Sequence, residues 1–580
     1  MSTDTYSDIL KLNKELGQSM STNNRYEVAV LSNIMTTQLK EILEYYLRRE
    51  GIYADVVFGD YDNIVQDSCK FKDRNCIIIV WELGNIIDGF YYKANTMEKD
   101  ELEDVILKTK NEIDFVLANL KSTSLVLINK FSSLIYSYPY IRQNNLDEAA
   151  RALNSYLEMR ISANMILIDV DKVLAKVSID KSIDLRFYYS SKSLYSIDYY
   201  KEYMKFVKPI FMFASGKVKK AMIFDCDNTL WKGIVGEEGL QGISMSARNT
   251  EGIVYEEVQY LALELAQKGI IIGLCSKNNP EDVDDVIKNH SDMTLKDQHI
   301  LIKKVNWDDK ITNLKSTARE LNIRLDSFVF VDDSEFEANL VKEGLPDITV
   351  LQVPKKLFEY PKLIRENIGL FFNISNTVED KRKIQMYKEQ SQREQSKESF
   401  NSIEGYLKSL ELKVSVYEDK VELIPRMSQM TQKTNQFNLT SRRYTEGDIA
   451  RFLEESKYRN FTFSVNDKFG DYGVAGLVIL ELNELNNTAI IDSFLMSCRI
   501  IGRNIEYAFF DFLVEKLRFQ NINSIEAVYI KSPKNEMAAN FYENIGFGII
   551  KTVDNTKYYN LKMENYKSKL IDYVEITDGK

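Results

Sequence analysis

The chain has 580 residues, 44% of them hydrophobic and 28% charged, a composition that indicates a globular protein of roughly three or four domains. Its 75 Lys and Arg residues against 86 Asp and Glu residues give a formal net charge of −11, which argues against nonspecific binding to nucleic acid or to an anionic membrane surface. No apolar run reaches the roughly 20 residues that span a bilayer, and the N-terminus lacks a signal-peptide pattern, so we expect a cytoplasmic protein.

Histidine and cysteine are too scarce for several common catalytic devices. The chain has two histidines, His290 and His299, and both lie in one polar stretch. Ser-His-Asp and Cys-His catalysis need an imidazole beside the nucleophile, which most of this sequence cannot offer. The five cysteines are too scattered for a disulfide framework or a CxxC zinc site. An enzyme with this sequence would therefore depend on carboxylates, a lysine, a thiol or a metal ion.

Residues 1–215 show the pattern of a parallel α/β domain. Short apolar runs rich in β-branched residues predict strands, and helix-length segments separate them. The predicted strands are 26–31, 53–57, 76–81, 123–129 and 163–169, and the predicted helices include 36–49, 97–120 and 145–160. This alternation predicts a parallel sheet that is covered by helices.

A second α/β domain, predicted over residues 216–372, contains a concentrated carboxylate motif. The apolar strand 221–224 leads directly into the sequence DCDNT. Asp225 and Asp227 should therefore project from the carboxyl end of a parallel strand, where α/β folds bind ligands. One carboxylate can attack phosphorus while the second protonates the leaving oxygen. The motif closes with the hydroxyl of Thr229.

Polar residues follow the next predicted strands in a matching order. Strand 270–274 leads to Ser276, whose hydroxyl can hold a phosphate oxygen. A run at 301–305 leads to Lys310, a positive charge for the same phosphoryl group. Strand 328–331 ends in Asp332 and Asp333, whose oxygen atoms suit Mg²⁺. The sequence thus predicts a phosphoryl-transfer site where these strands end.

This order of motifs resembles the haloacid dehalogenase superfamily. The resemblance implies that Asp225 is the nucleophile that accepts phosphate and that Asp227 is the acid/base. It also implies that Thr229, Ser276 and Lys310 bind the phosphoryl group. The Mg²⁺ ligands that it implies are Asp225, the Asp227 backbone carbonyl, Asp332 and Asp333. The short intervals between the motifs leave no room for a large inserted cap, so we expect a capless Rossmann-like domain whose crevice is open to a bulky partner.

The C-terminal region, 405–580, shows an α+β pattern after a polar segment that is predicted to be a helical connector over 373–404. Strands 473–481 and 488–497 precede the sequence CRIIGRN and a helix at 504–518. A strand, a Gly-containing turn and a helix N-terminus create an anion site from backbone N–H groups. The arrangement resembles the GNAT acetyltransferase fold, in which this turn holds the pyrophosphate of coenzyme A. The implied acyl or pantetheine site consists of Cys498, Arg499 and Gly502.

Two further blocks, DCDNTLWKGIVGEEG at 225–239 and QKTNQFNLTSRRYTEGD at 432–448, make the whole chain resemble the FkbH-like family. Its members combine an N-terminal domain similar to SGNH hydrolases with a haloacid-dehalogenase domain and a GNAT-like domain. The resemblance implies an enzyme that takes the glyceryl group of 1,3-bisphosphoglycerate, removes its phosphates, and loads the group as a thioester onto an acyl carrier protein for polyketide or tetronate biosynthesis. Ser32 and Asn33 stand where the hydrolase motif Gly-Asp-Ser would occur, so we expect the first domain to be a docking or structural module.

The thiol that would carry the glyceryl group is not settled by the sequence. We favour Cys226 because it lies between the two acids. Against it, successive residues of an extended segment point in opposite directions, and adjacent carboxylates raise the pKa of a thiol. Cys498, beside the GNAT-like turn, is the alternative. Two other functions also stay open: a Mg²⁺-dependent phosphatase whose outer domains only bind a partner, and a coenzyme A-dependent acyltransferase with a vestigial phosphatase site.

Overall fold

The computed structural model describes residues 4–19, 25–136, 144–373, 389, 393, 396, 400, 402–483, 485–532 and 534–579. The chain forms two compact units, one of Met1–Ser215 with Arg443–Glu454 and the other of Gly216–Arg442 with Glu455–Lys580. Most of the connector predicted over 373–404 lies outside the described residues. Its described Arg393 is buried, and its guanidinium forms an ion pair with Asp467 at 2.7 Å.

Helices and strands alternate along most of the described chain. The strands are β1 (Tyr26–Ser32), β2 (Ala54–Phe58), β3 (Cys76–Val80), β4 (Val126–Asn129), β5 (Met165–Ile168), β6 (Ala221–Phe224), β7 (Ile271–Ser276), β8 (Ile300–Val305), β9 (Phe328–Asp332), β10 (Thr349–Gln352), β11 (Leu412–Glu418), β12 (Phe437–Asn438), β13 (Tyr458–Asp467), β14 (Gly470–Asn483), β15 (Thr488–Met496), β16 (Ser524–Ile530), β17 (Gly548–Val553), β18 (Thr556–Lys562) and β19 (Val574–Asp578). The α-helices are α1 (Tyr6–Ser19), α2 (Leu39–Arg49), α3 (Ile64–Lys70), α4 (Phe90–Lys93), α5 (Lys99–Asn119), α6 (Asn145–Arg160), α7 (Val170–Val177), α8 (Ile179–Ser182), α9 (Leu185–Ser191), α10 (Ile197–Ala214), α11 (Val235–Gly242), α12 (Gly252–Gln267), α13 (Pro280–Asn289), α14 (Lys310–Leu321), α15 (Glu335–Gly344), α16 (Tyr360–Asn367), α17 (Ile403–Ser409), α18 (Ile424–Lys433), α19 (Glu446–Glu454), α20 (Ile505–Phe519) and α21 (Phe541–Asn544).

The first unit is built on a parallel sheet whose strand order is β2-β1-β3-β4-β5. Strand β3 is buried along its whole length, as expected for a strand with helices on both faces. Leu102 and Ile106 of α5 and Leu153 of α6 belong to the apolar cluster that also contains Ile77 and Ile79 of β3. Helix α19, which is distant in sequence, belongs to this unit as well.

The second unit contains a parallel sheet of order β10-β9-β6-β7-β8. Its central strand β6 is short, apolar and fully buried, and alternate residues contribute to different clusters. Phe224 belongs to the cluster that includes Val258 of α12, whereas Ile223 belongs to the cluster that includes Leu314 of α14. Covering both faces in this way leaves the strand ends as the accessible parts of the sheet.

A larger sheet of the second unit has the order β17-β18-β16-β15-β14-β13-β11-β19, with β12 paired to β15. Most neighbouring strands are antiparallel, but β15 pairs with β16 in parallel. The connection between these two strands contains helix α20, whose Phe509 and Leu513 pack in a cluster with Phe494 of β15. This is the strand–turn–helix–strand order that the sequence predicts.

The predicted multidomain α/β architecture with parallel sheets is confirmed, and most predicted strands agree with the observed ones to within a few residues. The predicted domain boundaries remain predictions, and the resemblance of the first domain to SGNH hydrolases is not established. No helix in the described part of the chain combines the length and the apolar character that crossing a membrane requires.

Candidate active site

The central strands of the five-stranded sheet of the second unit position two of the predicted carboxylates. Asp225 directly follows β6, and its backbone N–H donates a hydrogen bond to the carbonyl of Val331 at 2.9 Å. Asp332 is the last residue of the neighbouring strand β9. Because β6 and β9 run in parallel, both carboxylates lie at the same edge of the sheet. Both are buried, at 6% and 0% relative exposure.

Lys310 joins these two carboxylates. It is the first residue of α14, which begins after Asp309, whose side chain accepts a hydrogen bond from the backbone of Thr312. The ammonium nitrogen of Lys310 donates to Asp225 Oδ1 at 2.9 Å and to Asp332 Oδ2 at 2.5 Å. Burial by itself lowers the pKa of Lys310, but Asp225 and Asp332 outweigh it and raise the pKa above its usual value. The lysine is therefore a fixed, buried cation.

Asp333 completes a cluster of three carboxylates. One oxygen atom from each of Asp225, Asp332 and Asp333 lies within 4.8 Å of the others. Burial, followed by the charge of Asp225, raises the pKa of Asp332 to about 6 and that of Asp333 to about 6. The cluster offers only hard oxygen donors, which suit Mg²⁺ better than a softer metal. A divalent cation here would relieve the repulsion that raises these pKa values.

Asp227 is held apart from this cluster by its own hydrogen bonds. Its Oδ1 accepts from Trp231 Nε1 at 2.8 Å and from the Val235 backbone at 3.1 Å, and its Oδ2 accepts from Asn278 Nδ2 at 2.7 Å. Burial is the main cause that raises the pKa of Asp227, and the charge of Asp225 adds to it. A carboxyl with a raised pKa is suited to donate a proton.

The other predicted phosphate-binding residues also lie near this edge of the sheet. Ser276 is the last residue of β7, the neighbour of β6 on the other side, and it is buried. Thr229 is fully buried, and its Oγ1 has no hydrogen-bond partner within the described residues. Because a buried hydroxyl without a partner is uncommon, this atom is a candidate contact for a bound ligand or water.

Cys226 is present at the site but is shielded. Its side chain is fully buried and belongs to the same apolar cluster as Phe224 and Leu230. Burial is the main cause that raises the pKa of its thiol well above the usual value, and the charge of Asp225 is the next. A hydrogen bond with Ser276 lowers the pKa by less than these two causes raise it. In this conformation the thiolate is disfavoured, as expected for a thiol that is buried beside carboxylates.

Cys498, Arg499 and Gly502 lie at a different part of the second unit. Cys498 is in a short 3₁₀ turn, and α20 begins only at Ile505, so the expected helix N-terminus is not adjacent to the thiol. The Cys498 carbonyl accepts a hydrogen bond from Asn322, in the loop that precedes β9. This loop enters β9 at the end opposite Asp332. The structure therefore does not bring the Cys498 turn to the carboxylate cluster.

Two partners of Asp227, Trp231 and Asn278, are absent from the residues that the sequence nominates. Asn278 lies two residues after Ser276, in the same strand-end loop, and this position is the signal that could have identified it. The two histidines take no part in the site. His290 Nδ1 accepts from the Asp292 backbone and His299 Nδ1 from the Lys296 backbone, which are local turn contacts.

Ser32, at the end of β1, belongs to the first unit, whose sequence contains no histidine. Its hydroxyl donates to the carbonyl of Ile34 at 2.6 Å. Neither observation supplies the base that a hydrolytic triad needs. That this serine is not a triad nucleophile stays a prediction.

No protein-family model and no curated protein sequence matches this chain. Among solved structures, it is similar to the N-terminal part of the protein BF1531 from Bacteroides fragilis, which contains a phosphatase domain and was crystallised in complex with Mg. The identity is 22%, the TM-score is 0.55, and the match covers 64% of this chain and 100% of that one. At this identity the likeness establishes a shared fold.

Two acetyltransferases also match over a smaller part of the chain. Ribosomal-protein-S18-alanine N-acetyltransferase from Escherichia coli is 15% identical with a TM-score of 0.21, and the match covers 26% of this chain and 94% of that one. Mutant forms of the spermidine/spermine N-acetyltransferase SpeG from Vibrio cholerae are 14% identical with a TM-score of 0.22, and the match covers 26% of this chain and 95% of that one. These scores are too low to argue from.

Proposed function

We propose that this chain is a Mg²⁺-dependent phosphatase of the haloacid dehalogenase type that uses Asp225 as its nucleophile. The position of Lys310, 2.9 Å from Asp225 and 2.5 Å from Asp332, is the observation that carries the proposal. A fixed cation beside a buried carboxylate supplies positive charge where the charge of a phosphoryl group must be stabilised. The shared fold with a protein that contains a phosphatase domain supports the same function.

The reaction has two steps that use the two acids differently. An Asp225 oxygen attacks phosphorus, and the bond between phosphorus and the leaving oxygen breaks while Asp227 donates its proton to that oxygen. Asp227 then accepts a proton from water, which attacks the aspartyl phosphate and restores the Asp225 carboxylate. Lys310 and the hydroxyl of Ser276 hold the oxygens of the phosphoryl group throughout.

The same residues account for the metal requirement. The carboxylates of Asp225, Asp332 and Asp333, with the backbone carbonyl of Asp227, would hold Mg²⁺. When bound, Mg²⁺ supplies positive charge that stabilises the phosphoryl oxygens and offsets the repulsion among the carboxylates. Asp227 keeps its side chain free of the metal because Trp231, Val235 and Asn278 hold its carboxylate elsewhere.

Phosphate release from a phosphomonoester and from an acyl phosphate tests this proposal. The purified full chain should release phosphate with Mg²⁺ and should lose this activity with a chelator. Asp225→Asn should abolish release, because an amide is not a competent nucleophile towards phosphorus. Asp284→Asn is a matched control, since Asp284 lies on the partly exposed surface of α13 and pairs with Lys303. Wild-type release by Asp225→Asn, or full activity in the chelator, would overturn the proposal.

The finer part of the proposal names the substrate and the acceptor. The blocks at 225–239 and 432–448 support a glyceryl transferase that acts on 1,3-bisphosphoglycerate and delivers the group to an acyl carrier protein. A thiolate would attack the C1 carbonyl and displace the C1 phosphate, which would leave a glyceryl thioester. The phosphopantetheine thiol of the carrier would then attack this thioester, take the glyceryl group and release the first thiol. Removal of the C3 phosphate would be the phosphatase reaction at Asp225.

Incubation of the protein with 1,3-bisphosphoglycerate and a cognate holo carrier protein, followed by intact-mass measurement, tests the finer part. A glyceryl adduct on the carrier is the expected result. Phosphate release without any adduct would indicate that the protein is a phosphatase whose other domains only bind a partner. Acylation that requires acetyl coenzyme A would favour the acyltransferase alternative. Peptide mapping of Cys226→Ala and Cys498→Ala, without carrier, identifies the thiol, and undiminished labelling of Cys226→Ala would exclude Cys226.

A further inference from the structure

The sheet of the first unit carries a buried carboxyl group that no described cation neutralises. Glu82 follows β3 by two residues and is 4% exposed. Its Oε2 accepts a hydrogen bond from the Tyr195 hydroxyl at 2.6 Å, whereas its Oε1 makes no hydrogen bond of good geometry within the described residues. Burial is the main cause that raises the pKa of Glu82 to about 7, and the charge of Asp171 adds to it. The groups that lower this pKa are the neutral donors Tyr195 and the Gly84 backbone, not a lysine or an arginine.

The position of Glu82 in the sheet is one where α/β folds bind ligands. In the strand order β2-β1-β3-β4-β5, the chain continues from β1 to one side of the sheet and from β3 to the other. Ligands of such sheets bind outside the carboxyl ends of the two strands where the order reverses. Asn33, which follows β1, donates from Nδ2 to the Glu82 carbonyl at 2.9 Å and accepts from the Glu82 N–H at 2.7 Å. These two bonds fix the backbone of Glu82 at this point.

Tyrosine side chains connect this carboxyl group with the surface of the unit. The charge of Glu82 raises the pKa of Tyr136 and of Tyr188, in addition to the larger effect of burial on each. Both hydroxyl oxygens are buried without a hydrogen bond of good geometry in the part of the chain that the structure describes. The ring of Tyr91, which is half-buried, lies 4.9 Å from the Tyr136 ring and 5.7 Å from the Tyr188 ring between centroids. The next residue, Tyr92, is 58% exposed.

These groups offer acceptor atoms and aromatic faces, but no positive charge. A carboxylate oxygen has two lone pairs, and a phenol oxygen can accept while its O–H donates, so the Tyr136 and Tyr188 hydroxyls can accept even where they interact with each other. Phenol rings also attract cations over their faces. Lys192 shows this attraction at the rim: its ammonium lies 5.4 Å from the Tyr188 ring centroid, but it pairs with Asp88 at 3.5 Å.

We propose that the first unit binds a small organic molecule through a primary ammonium group, which donates to Glu82 Oε1 and to the hydroxyls of Tyr136 and Tyr188. A primary ammonium has three N–H donors and one positive charge, and it would neutralise a buried carboxylate whose isolation is costly. A neutral polyol would leave that charge unpaired. Mg²⁺ or Ca²⁺ requires six or more oxygen ligands, more than one carboxylate oxygen and two phenols supply.

Calorimetric titration of the full chain with propylamine at pH 8 tests this site. Glu82→Gln removes the charge and keeps the shape of the side chain and an acceptor for the Tyr195 hydroxyl. It should weaken propylamine binding by about tenfold or more, since a charge-assisted hydrogen bond contributes on that scale. Glu103→Gln is the control, because Glu103 is an exposed residue of α5 that pairs with Lys99, and it should bind as the wild type. Circular dichroism would establish that Glu82→Gln is folded.

A series of ligands on the wild type provides a second measurement that needs no variant. Tetramethylammonium carries the charge without an N–H group, and propanol has the chain without the charge. Both should bind more weakly than propylamine, by about tenfold or more. Absence of propylamine binding would overturn the proposal, as would equal binding of tetramethylammonium or undiminished binding by Glu82→Gln.

The carboxylates of the candidate active site could also attract an amine, and one further variant separates the two sites. Propylamine binding that Asp225→Asn abolishes and Glu82→Gln leaves unchanged would overturn the proposal, because the amine would then occupy the candidate active site. Binding that Asp225→Asn leaves unchanged and Glu82→Gln weakens is the expected result. The inference does not depend on the proposed phosphatase activity and can fail without affecting it.

Discussion

Replacing Lys310 by Met removes the cation that joins the carboxylates and keeps a side chain of similar length. In the protein, the Lys310 ammonium donates to Asp225 at 2.9 Å and to Asp332 at 2.5 Å, and it is 3% exposed. Without it, Asp225, Asp332 and Asp333 would repel one another in a poorly solvated site. We therefore expect Lys310→Met to lose phosphatase activity and also to become less stable.

The size and the pH dependence of the expected loss of stability follow from the burial of the site. Removing one partner of a buried ion pair costs about 3–5 kcal/mol, which would lower the midpoint of thermal unfolding by roughly 6–20 °C. The pKa of Asp332 is already raised to about 6, as is that of Asp333, and loss of the lysine should raise both further. When a carboxyl has a higher pKa in the folded state than in the unfolded state, the protein loses stability as the pH rises from the unfolded-state value through the folded-state value. The destabilisation should therefore be larger at pH 8 than at pH 5.

Mg²⁺ should restore part of the lost stability, by about 2.7 kcal/mol at a concentration of one hundred times its dissociation constant. Thermal unfolding of wild type and variant at pH 5 and pH 8, with and without Mg²⁺, measures the loss of stability, its pH dependence and its partial recovery with Mg²⁺. Lys304→Met is the control, because Lys304 pairs with Glu320 near the surface at 2.7 Å and such pairs contribute about 0–1 kcal/mol. Equal stability of Lys310→Met and the wild type at pH 8 would refute the assigned role of the lysine.

Three further predictions concern other contacts. Asn278→Ala should shift the pH profile of phosphate release to higher pH, because Asn278 donates a hydrogen bond that lowers the pKa of Asp227. Glu82→Gln should flatten the fall in stability between about pH 4.5 and 7, because burial raises the pKa of Glu82 to about 7 and its charging opposes folding in that interval. Gly476→Ala should cost about 1–3 kcal/mol, because a Cβ would lie 1.9 Å from the Phe463 ring.

Each of these three predictions has a matched control variant. Asn289→Ala removes an exposed hydrogen bond to Asp285 and should leave the pH profile unchanged. Glu158→Gln alters an exposed acid and should leave the pH dependence of stability as in the wild type. Gly236→Ala places a methyl group in open space and should be nearly neutral. An unshifted pH profile in Asn278→Ala would contradict the role of its hydrogen bond to Asp227. An unaltered pH dependence of stability in Glu82→Gln would contradict the role of the buried Glu82 carboxyl. Unchanged stability of Gly476→Ala would contradict the close packing of Gly476 against Phe463.

Much of the fold and the candidate site follows from local sequence. The apolar run 221–224 forms a buried strand because parallel strands with helices on both faces require apolar residues throughout. The residues after each strand then lie at one sheet edge, which is why Asp225, Ser276 and Asp332 could be grouped in advance. Gly269, with a φ of 77°, directly follows the C-cap residue of α12, a position and a conformation that favour glycine.

Contacts between distant segments were not predictable in the same way. The hydrogen bonds of Asp227 to Trp231 and Asn278 depend on how the chain turns after β6 and after β7. Residues Arg443–Glu454 belong to the first unit although the surrounding sequence belongs to the second, and no local pattern marks this.

The most direct test of the central claim is detection of the covalent phosphoryl group on Asp225. Asp227→Asn removes the base for hydrolysis, whereas an acyl phosphate substrate needs little protonation of its leaving group, so the aspartyl phosphate should accumulate in this variant. Acid quenching with Mg²⁺ and acyl phosphate present, followed by peptide mass spectrometry, should locate one added phosphoryl group on Asp225. Turnover without any label, or a label on a different residue, would contradict the account.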